Sequence, residues 1–115
     1  MNSILNLALV AVMFFHTELK TSSPSKDAVV EKSPTVVTLT FTERVQVRLS
    51  SISLLKADSS VVAKLVVKGT KDPATMEGAV TSVLPAGKYI VLWRTAAADG
   101  HVARGSYAFA VSPPR

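Results

Sequence analysis

Apolar and polar residues alternate along several stretches of the chain, and a two-residue period predicts β-strands with one buried face. In the run 37–42, three apolar residues alternate with three threonines. The same kind of alternation occurs at 61–68, and at 106–111 two aromatic residues and a valine fall on one face. These three runs predict half-buried strands.

A different pattern marks the most apolar stretch, Tyr89–Trp93, in which every residue is hydrophobic. Hydrophobic residues on both faces predict a central strand that is packed on two sides. Shorter strands are predicted at Leu19–Ser23, Gln46–Lys56 and Ala79–Val83, which brings the total to about seven. Clusters of serine, proline and glycine separate the strands, and no stretch keeps a helical apolar stripe for three turns.

The segment Leu84–Tyr89 favours a sandwich over other all-β arrangements. It leads a tyrosine into the most apolar strand, as in the tyrosine corner of immunoglobulin-like folds, where the phenol hydroxyl bonds back to the preceding backbone. Many short strands with regular turns are typical of sandwiches and barrels. We therefore predict an all-β fold, an immunoglobulin-like β-sandwich or barrel of about seven strands.

The first fifteen residues differ from the rest. Residues 1–15 carry no charged side chain, and Ile4–Phe15 is apolar apart from one asparagine. Such a run is too short to span a bilayer and matches the hydrophobic region of a secretory signal. We predict that 1–15 is a removed signal peptide and that 16–115 is the mature, exported domain. The signal is atypical, because no Lys or Arg precedes the apolar run and Met13 and Phe15 occupy positions where small residues normally precede cleavage.

The amino-acid composition excludes several classes of function. A chain of 115 residues with 48% hydrophobic residues suits one domain with its own core. It has no cysteine, which excludes disulfides, thiolate metal sites and a cysteine nucleophile. The net charge of +5 comes from scattered lysines and arginines, and aromatic residues make up 6% of the chain. No nucleic-acid-binding function is therefore indicated.

The motif Ala98–His101 contains the closest grouping of residues that could bind a metal. Asp99 and His101 are two residues apart, so on an extended backbone their side chains leave on the same side, and Gly100 between them lets the chain bend. A carboxylate oxygen and an imidazole nitrogen placed in this way can bind one divalent ion. Asp-Gly is also an ordinary turn dipeptide, and a histidine beside it is often simply solvated.

His16 is the other histidine of the chain, and it could add metal donors to those of Asp99 and His101. If export frees it as the N-terminus, its amine and imidazole can chelate one metal ion, and Asp99 and His101 complete a set of three nitrogens and one oxygen. These donors suit Cu(II), whereas Cu(I) prefers sulfur, which Met76 alone supplies in the mature chain. If residues remain ahead of His16, its amine becomes an amide and the chelate is lost.

Several motifs occur in a recognisable order. The segment His16–Pro24 begins with histidine, has leucine three residues later and ends in Ser-Pro, and Leu39–Glu43 is followed by Val45. In order and spacing these segments resemble the mature N-terminus and the Leu-Thr-Phe-Ser-Glu-x-Val strand of CopC-type periplasmic copper-binding proteins. Further motifs similar to that family's C-terminal signature are Gly87-Lys88-Tyr89, Trp93-Arg94, Ala98-Asp99-Gly100-His101, Gly105 and Phe109-Ala110-Val111.

The resemblance implies a Greek-key β-sandwich that binds one Cu(II) ion per chain in the periplasm. Carried over residue by residue, it implies that His16, Asp99 and His101 are the metal ligands. The family's other site, for Cu(I), uses a methionine-rich loop, and a lone Met76 in the corresponding stretch implies that this second site is missing. An inner-membrane copper transporter of the CopD type is implied as a partner.

The predicted function is that of a monomeric copper carrier or buffer in copper homeostasis or resistance, not an enzyme. Two alternatives stay open. A metal-free immunoglobulin-like interaction module of the envelope follows if His16 is not the mature N-terminus. A copper-dependent oxidase would use the same amine–imidazole chelate, but the short chain leaves little room for a carbohydrate-binding surface, and Asp99 blocks a coordination position that oxygen needs.

Overall fold

Two β-sheets packed face to face make up the computed structural model, which describes residues 17–114. One sheet has the strand order β1-β3-β7-β6 and the other has the order β2-β9-β8-β4-β5. The strands are β1 (Leu19–Ser23), β2 (Val29–Val30), β3 (Val36–Phe41), β4 (Ser51–Lys56), β5 (Val61–Leu65), β6 (Val67–Gly69), β7 (Thr75–Ala79), β8 (Gly87–Ala96) and β9 (Val102–Val111), with a short 3₁₀ helix at Val47–Leu49. The predicted all-β, immunoglobulin-like sandwich is confirmed.

The chain crosses between the sheets repeatedly, as Greek-key sandwiches do. After β3 it moves to β4 and β5, returns to β6 and β7, and ends with β8 and β9 in the larger sheet. All strand pairs are antiparallel except β2 with β9, which is parallel. Within the described residues, no helix is long and apolar enough to cross a membrane.

The core lies between the two sheets and is built by the predicted inward positions. Leu39 of the smaller sheet is fully buried. Phe41 meets the indole of Trp93 edge to face, with the ring centroids 5.0 Å apart, and Tyr89 stacks on Phe109 at 5.8 Å. Burying a large apolar side chain contributes about 1.5–3 kcal/mol relative to leaving it exposed, so these residues hold the sandwich together without a disulfide.

The predicted tyrosine corner is present. Tyr89 is buried at the start of β8, and its hydroxyl donates a hydrogen bond of 2.6 Å to the carbonyl of Pro85. This bond satisfies a polar atom inside the core, and it fixes how the chain turns into the central strand.

The run 61–68, predicted as one strand, is divided between the two sheets. β5 pairs with β4 in the larger sheet, whereas β6 pairs with β7 in the smaller one. Val66 separates them, and 80% of its surface is exposed. The alternation of apolar residues continues through this switch, so the pattern gave no signal of it.

Two other strand predictions differ from the structure, and one strand was not predicted at all. The strand predicted at Ala79–Val83 lies earlier, at Thr75–Ala79, because the segment after it bonds to the chain before β3, where Val80 donates to the carbonyl of Thr35. The first residues of Gln46–Lys56 form the 3₁₀ helix rather than a strand. The two-residue strand β2 was not predicted, because it is too short to show a period.

The prediction that Tyr89–Trp93 is packed on both faces is wrong. Tyr89, Val91 and Trp93 are buried, but Leu92 on the other face is 44% exposed. The larger sheet has a neighbouring sheet on one side only, so the hydrophobic outer face of β8 lies at the surface.

Candidate metal centre

The hairpin between β8 and β9 carries the candidate ligands at its tip. Ala97 donates to the carbonyl of His101 at 2.9 Å, and Gly100 donates to the carbonyl of Ala97 at 2.9 Å, so the tip is a tight turn rather than the extended backbone expected. Gly100 has a φ of 90°, a conformation that glycine adopts without strain. The turn places Asp99 and His101 outside the sandwich.

Asp99 and His101 contact each other twice. The backbone N–H of His101 donates to Oδ1 of Asp99 at 3.0 Å, and Oδ2 lies 2.7 Å from Nδ1 of His101. The backbone hydrogen bond from His101, then the side-chain bond, lower the pKa of the Asp99 carboxyl. The carboxylate therefore stays ionised and orients the imidazole, and no other described residue bonds to the ring, which leaves Nε2 available.

Both side chains are open to solvent. The exposed fraction is 86% for the side chain of His101 and 64% for that of Asp99. An exposed carboxylate–imidazole pair keeps its lone pairs accessible to a metal ion, because neither side chain is covered by the rest of the fold. A cation can reach the pair without any movement of the strands.

Gln46, a residue that the sequence did not single out, holds the base of this tip through two hydrogen bonds. Its side-chain amide donates to the carbonyl of Ala97 at 2.7 Å, and its backbone N–H donates to the carbonyl of Ala96 at 2.8 Å. Val45 also forms a bridge with Ala97. As the first residue of the strand predicted at Gln46–Lys56, this glutamine carries no sequence signal for such a role.

The described chain begins at this same end of the molecule. Thr17 is buried, and Glu18 exchanges two hydrogen bonds with Thr42: its N–H donates to Oγ1 at 3.0 Å and its carbonyl accepts from the Thr42 N–H at 2.9 Å. Thr42 follows β3, and three residues later Val45 bridges to Ala97 below the tip. Glu18, one residue after Thr17, is therefore bonded to the segment 42–46, whose Val45 and Gln46 contact the base of the hairpin.

The third predicted ligand, His16, lies outside the described residues. The structure brings Asp99 and His101 together, and among residues 17–114 no cluster of three or more histidine, cysteine, aspartate or glutamate side chains is placed to hold a metal. The pair supplies one oxygen and one nitrogen, so a tightly held ion needs donors from elsewhere.

The sulfur of Met76 is not a surface ligand. Met76 lies in β7, has no exposed surface and packs in the core between the sheets. Since Met76 is the only methionine after position 13, the described chain has no accessible thioether for a soft ion. Trp93 is likewise a core residue, 6% exposed.

Comparison with known proteins identifies the family. The model of the CopC domain matches residues 19–112. The Copper resistance protein C of Escherichia coli is 38% identical over 104 residues, which cover 84% of this chain and 81% of that protein. The Copper resistance protein C of Pseudomonas syringae pv. tomato is 31% identical over 102 residues, covering 84% and 80%.

Solved structures agree with this assignment. The crystal structure of CopC from Methylosinus trichosporium OB3b superposes with a TM-score of 0.81 at 35% identity, covering 87% of this chain and 97% of that one. The structure of PcoC, a copper resistance protein from Escherichia coli, superposes with a TM-score of 0.72 at 32% identity, covering 83% and 99%. The relatives from Escherichia coli and Pseudomonas syringae are copper resistance proteins, and proteins of the CopC family are not enzymes. The chain belongs to the CopC family.

Proposed function

We propose that this protein binds one Cu(II) ion in the periplasm and acts as a copper carrier or buffer. The observation that carries the proposal is the exposed Asp99–His101 pair. Its carboxylate is held ionised, its Nε2 is unengaged, and Val45 and Gln46 support the hairpin that presents it. Membership of a copper resistance family supports copper as the ligand.

The proposed ligands are the amine and imidazole of His16, the imidazole of His101 and the carboxylate of Asp99. His16 directly precedes Thr17 in the sequence, and Glu18 bonds to Thr42, three residues before Val45 bridges to Ala97 at the base of the tip. Two imidazoles, an amine and a carboxylate are the donors that Cu(II) accepts in a tetragonal arrangement. This assignment requires that export cleavage leaves His16 as the first residue.

An accessible site suits a carrier. The described ligands lie at the surface rather than in a cavity, so a second protein can approach the bound ion directly. A CopD-type transporter of the inner membrane is the proposed recipient or donor. Holding the ion as Cu(II) on nitrogen and oxygen donors disfavours its reduction, because Cu(I) prefers sulfur.

The first experiment determines the N-terminus of the exported protein by intact mass and N-terminal sequencing. We expect His16 to be the first residue. Cu(II) titrations then compare the protein with His16→Ala and His101→Ala, which we expect to lose about two orders of magnitude in affinity or more, because each removes a direct ligand. Electron paramagnetic resonance of the copper-loaded protein should show nitrogen donors.

Asp58 provides a matched control. Like Asp99, it caps an exposed turn, with Oδ1 accepting from the N–H of Ser60 at 2.9 Å, but no histidine adjoins it. We expect Asp58→Ala to leave Cu(II) affinity unchanged and Asp99→Ala to lower it. An exported protein that begins at another residue, together with unchanged affinity in His101→Ala, would reject the copper site and favour a metal-free module.

A further inference from the structure

A cleft runs along one side of the sandwich, between β1 of the smaller sheet and β9 of the larger one. Its volume is about 570 Å³, within the range of ligand sites in proteins. Trp93, Gly105 and Tyr107 line its inner wall, and the turn at 25–26 closes one end. The other end opens toward the β8–β9 tip, because β1 and β9 both begin on that side.

The edge of β9 that faces this cleft is only half covered. β2 bonds to its C-terminal half, where Asp27 donates to the carbonyl of Ala108 and Ala110 donates to the carbonyl of Ala28. Backbone groups on one side of a strand repeat every second residue, so Arg104 and Ser106 direct their N–H and C=O groups to the same edge. No described strand pairs with them there.

The cleft is basic. Its lining includes Lys20 and Lys26 and no acidic residue among the described positions, and the exposed Arg104 lies on the adjoining edge. Lys20 also interacts with Asp72, whereas Lys26 has no ion-pair partner in residues 17–114. These charges attract an anionic partner and oppose a second copy of this chain, because pairing of two β9 edges would bring like charges together.

We propose that this cleft docks an extended acidic segment of a partner protein, which adds as a strand to the free half of β9. The segment bonds through its backbone to Arg104 and Ser106, and its carboxylates face Lys20 and Lys26. One apolar side chain rests against the wall formed by Trp93 and Gly105. The proposed docking site includes none of the proposed copper ligands, so docking can be tested independently of copper binding.

The test uses the copper-free protein and the peptide acetyl-Thr-Glu-Val-Glu-Thr-Glu-amide, followed by ¹H–¹⁵N NMR. We expect saturable shifts of the Arg104 and Ser106 amides and of the Trp93 indole N–H, which is the only indole signal of the chain. A combined Lys20→Glu and Lys26→Glu variant should weaken binding about tenfold or more, since charge pairs set recognition at such surfaces.

Two control peptides separate strand addition from simple charge attraction. The same peptide with lysine in place of glutamate should not bind. The second control is the glutamate peptide with methyl groups on alternate backbone nitrogens, those on the edge that meets β9. This peptide keeps its charge but loses the N–H donors on that edge, so it should bind at least about tenfold more weakly. Equal binding of the methylated and unmethylated peptides, shifts confined to other surfaces, or a dimer through β9 in sedimentation equilibrium would overturn the proposal.

Discussion

Gly105 is the glycine whose replacement the packing opposes most directly. It lies opposite Trp93 in the β8–β9 pair, and a Cβ placed on it would lie 2.4 Å from Cζ2 of the indole. Neighbouring atoms do not tolerate so short a distance, so either the ring or the strand has to move. The need for glycine here is steric, because the backbone has no positive φ at this position.

We expect Gly105→Ala to lower the free energy of unfolding by about 1–3 kcal/mol, the range typical of overpacked cores. Urea unfolding followed by the fluorescence of the single tryptophan measures this directly. Gly69→Ala is the matched control, because its nearest neighbour, Cγ2 of Val47, lies at 3.4 Å. Equal losses in the two variants would contradict the steric explanation.

Tyr107 gives a prediction about alkaline pH. Burial raises the pKa of its phenol above the usual value of 10.0, and an interaction with the side chain of Ser22 lowers that pKa by a smaller amount. A raised pKa in the folded state means that the folded protein favours the neutral phenol. The stabilisation is complete below about pH 10, the unfolded pKa, and is lost as the pH rises toward the folded value.

Tyr107→Phe removes this titration. We expect the free energy of unfolding of the unaltered protein to fall more steeply above pH 10 than that of Tyr107→Phe, as measured by urea unfolding at stepped pH. At neutral pH the stability of the variant should differ by about 1 kcal/mol or less, because the substitution removes both the cost of burying the hydroxyl and its interaction with Ser22. Parallel pH profiles for the two proteins would show that the phenol is not buried in the folded state.

At the scale of elements, the sequence predicted the strands whose two faces differ in character. The threonines of β3 alternate with core residues, and Tyr89 carries the corner motif, so the sequence predicted both the strand β3 and the tyrosine corner. The switch of sheets at Val66 was not predicted, because strand alternation indicates which face is buried and not which neighbouring strand supplies the hydrogen bonds. The open outer face of β8 was missed for a different reason: Leu92 is hydrophobic but exposed, so its residue type did not indicate its burial.

The candidate site was predictable only in part. Asp99 and His101 were found because they adjoin a glycine and are two residues apart, although a turn, not an extended strand, brings them together. Gln46 was missed because its role depends on a contact across the fold to Ala97, 51 positions along the chain. A contact of this kind leaves no local pattern in the sequence.

Gln46→Ala tests whether that clamp holds the tip. Without the side-chain amide, the carbonyl of Ala97 loses its 2.7 Å hydrogen bond, and we expect faster amide hydrogen exchange at Gly100 and His101, with a stability loss of about 1 kcal/mol. If copper binds as proposed, Cu(II) affinity should fall several-fold, since positioning of a ligand matters. Unchanged exchange at the tip would show that the backbone bond of Gln46 suffices.

At the scale of the whole molecule, the proposed copper site would join the proposed N-terminus to the last hairpin, and protons would compete with the metal for its nitrogen donors. Reference pKa values are about 6.5 for imidazole and about 8 for an α-amine. The lowered pKa of Asp99 keeps its carboxylate ionised throughout this range. Cu(II) affinity should therefore fall as the pH decreases from about 8 to about 5.5.

Competition titrations at stepped pH measure this dependence. Asp99→Asn should bind more weakly at every pH and keep the same slope, because the carboxylate is not the group that titrates. An affinity that is constant across the range would exclude nitrogen ligands that must lose protons.

The exposed position of the hairpin tip has a kinetic consequence. If His101 holds an ion as proposed, a donor from another molecule can attach to that ion while the original donors are still bound, so transfer can proceed by stepwise substitution. Neither strand of the hairpin has to open for this exchange. The speed of transfer would then follow the strength of the attacking donor, and a variant that unfolds more easily would deliver its cargo no faster.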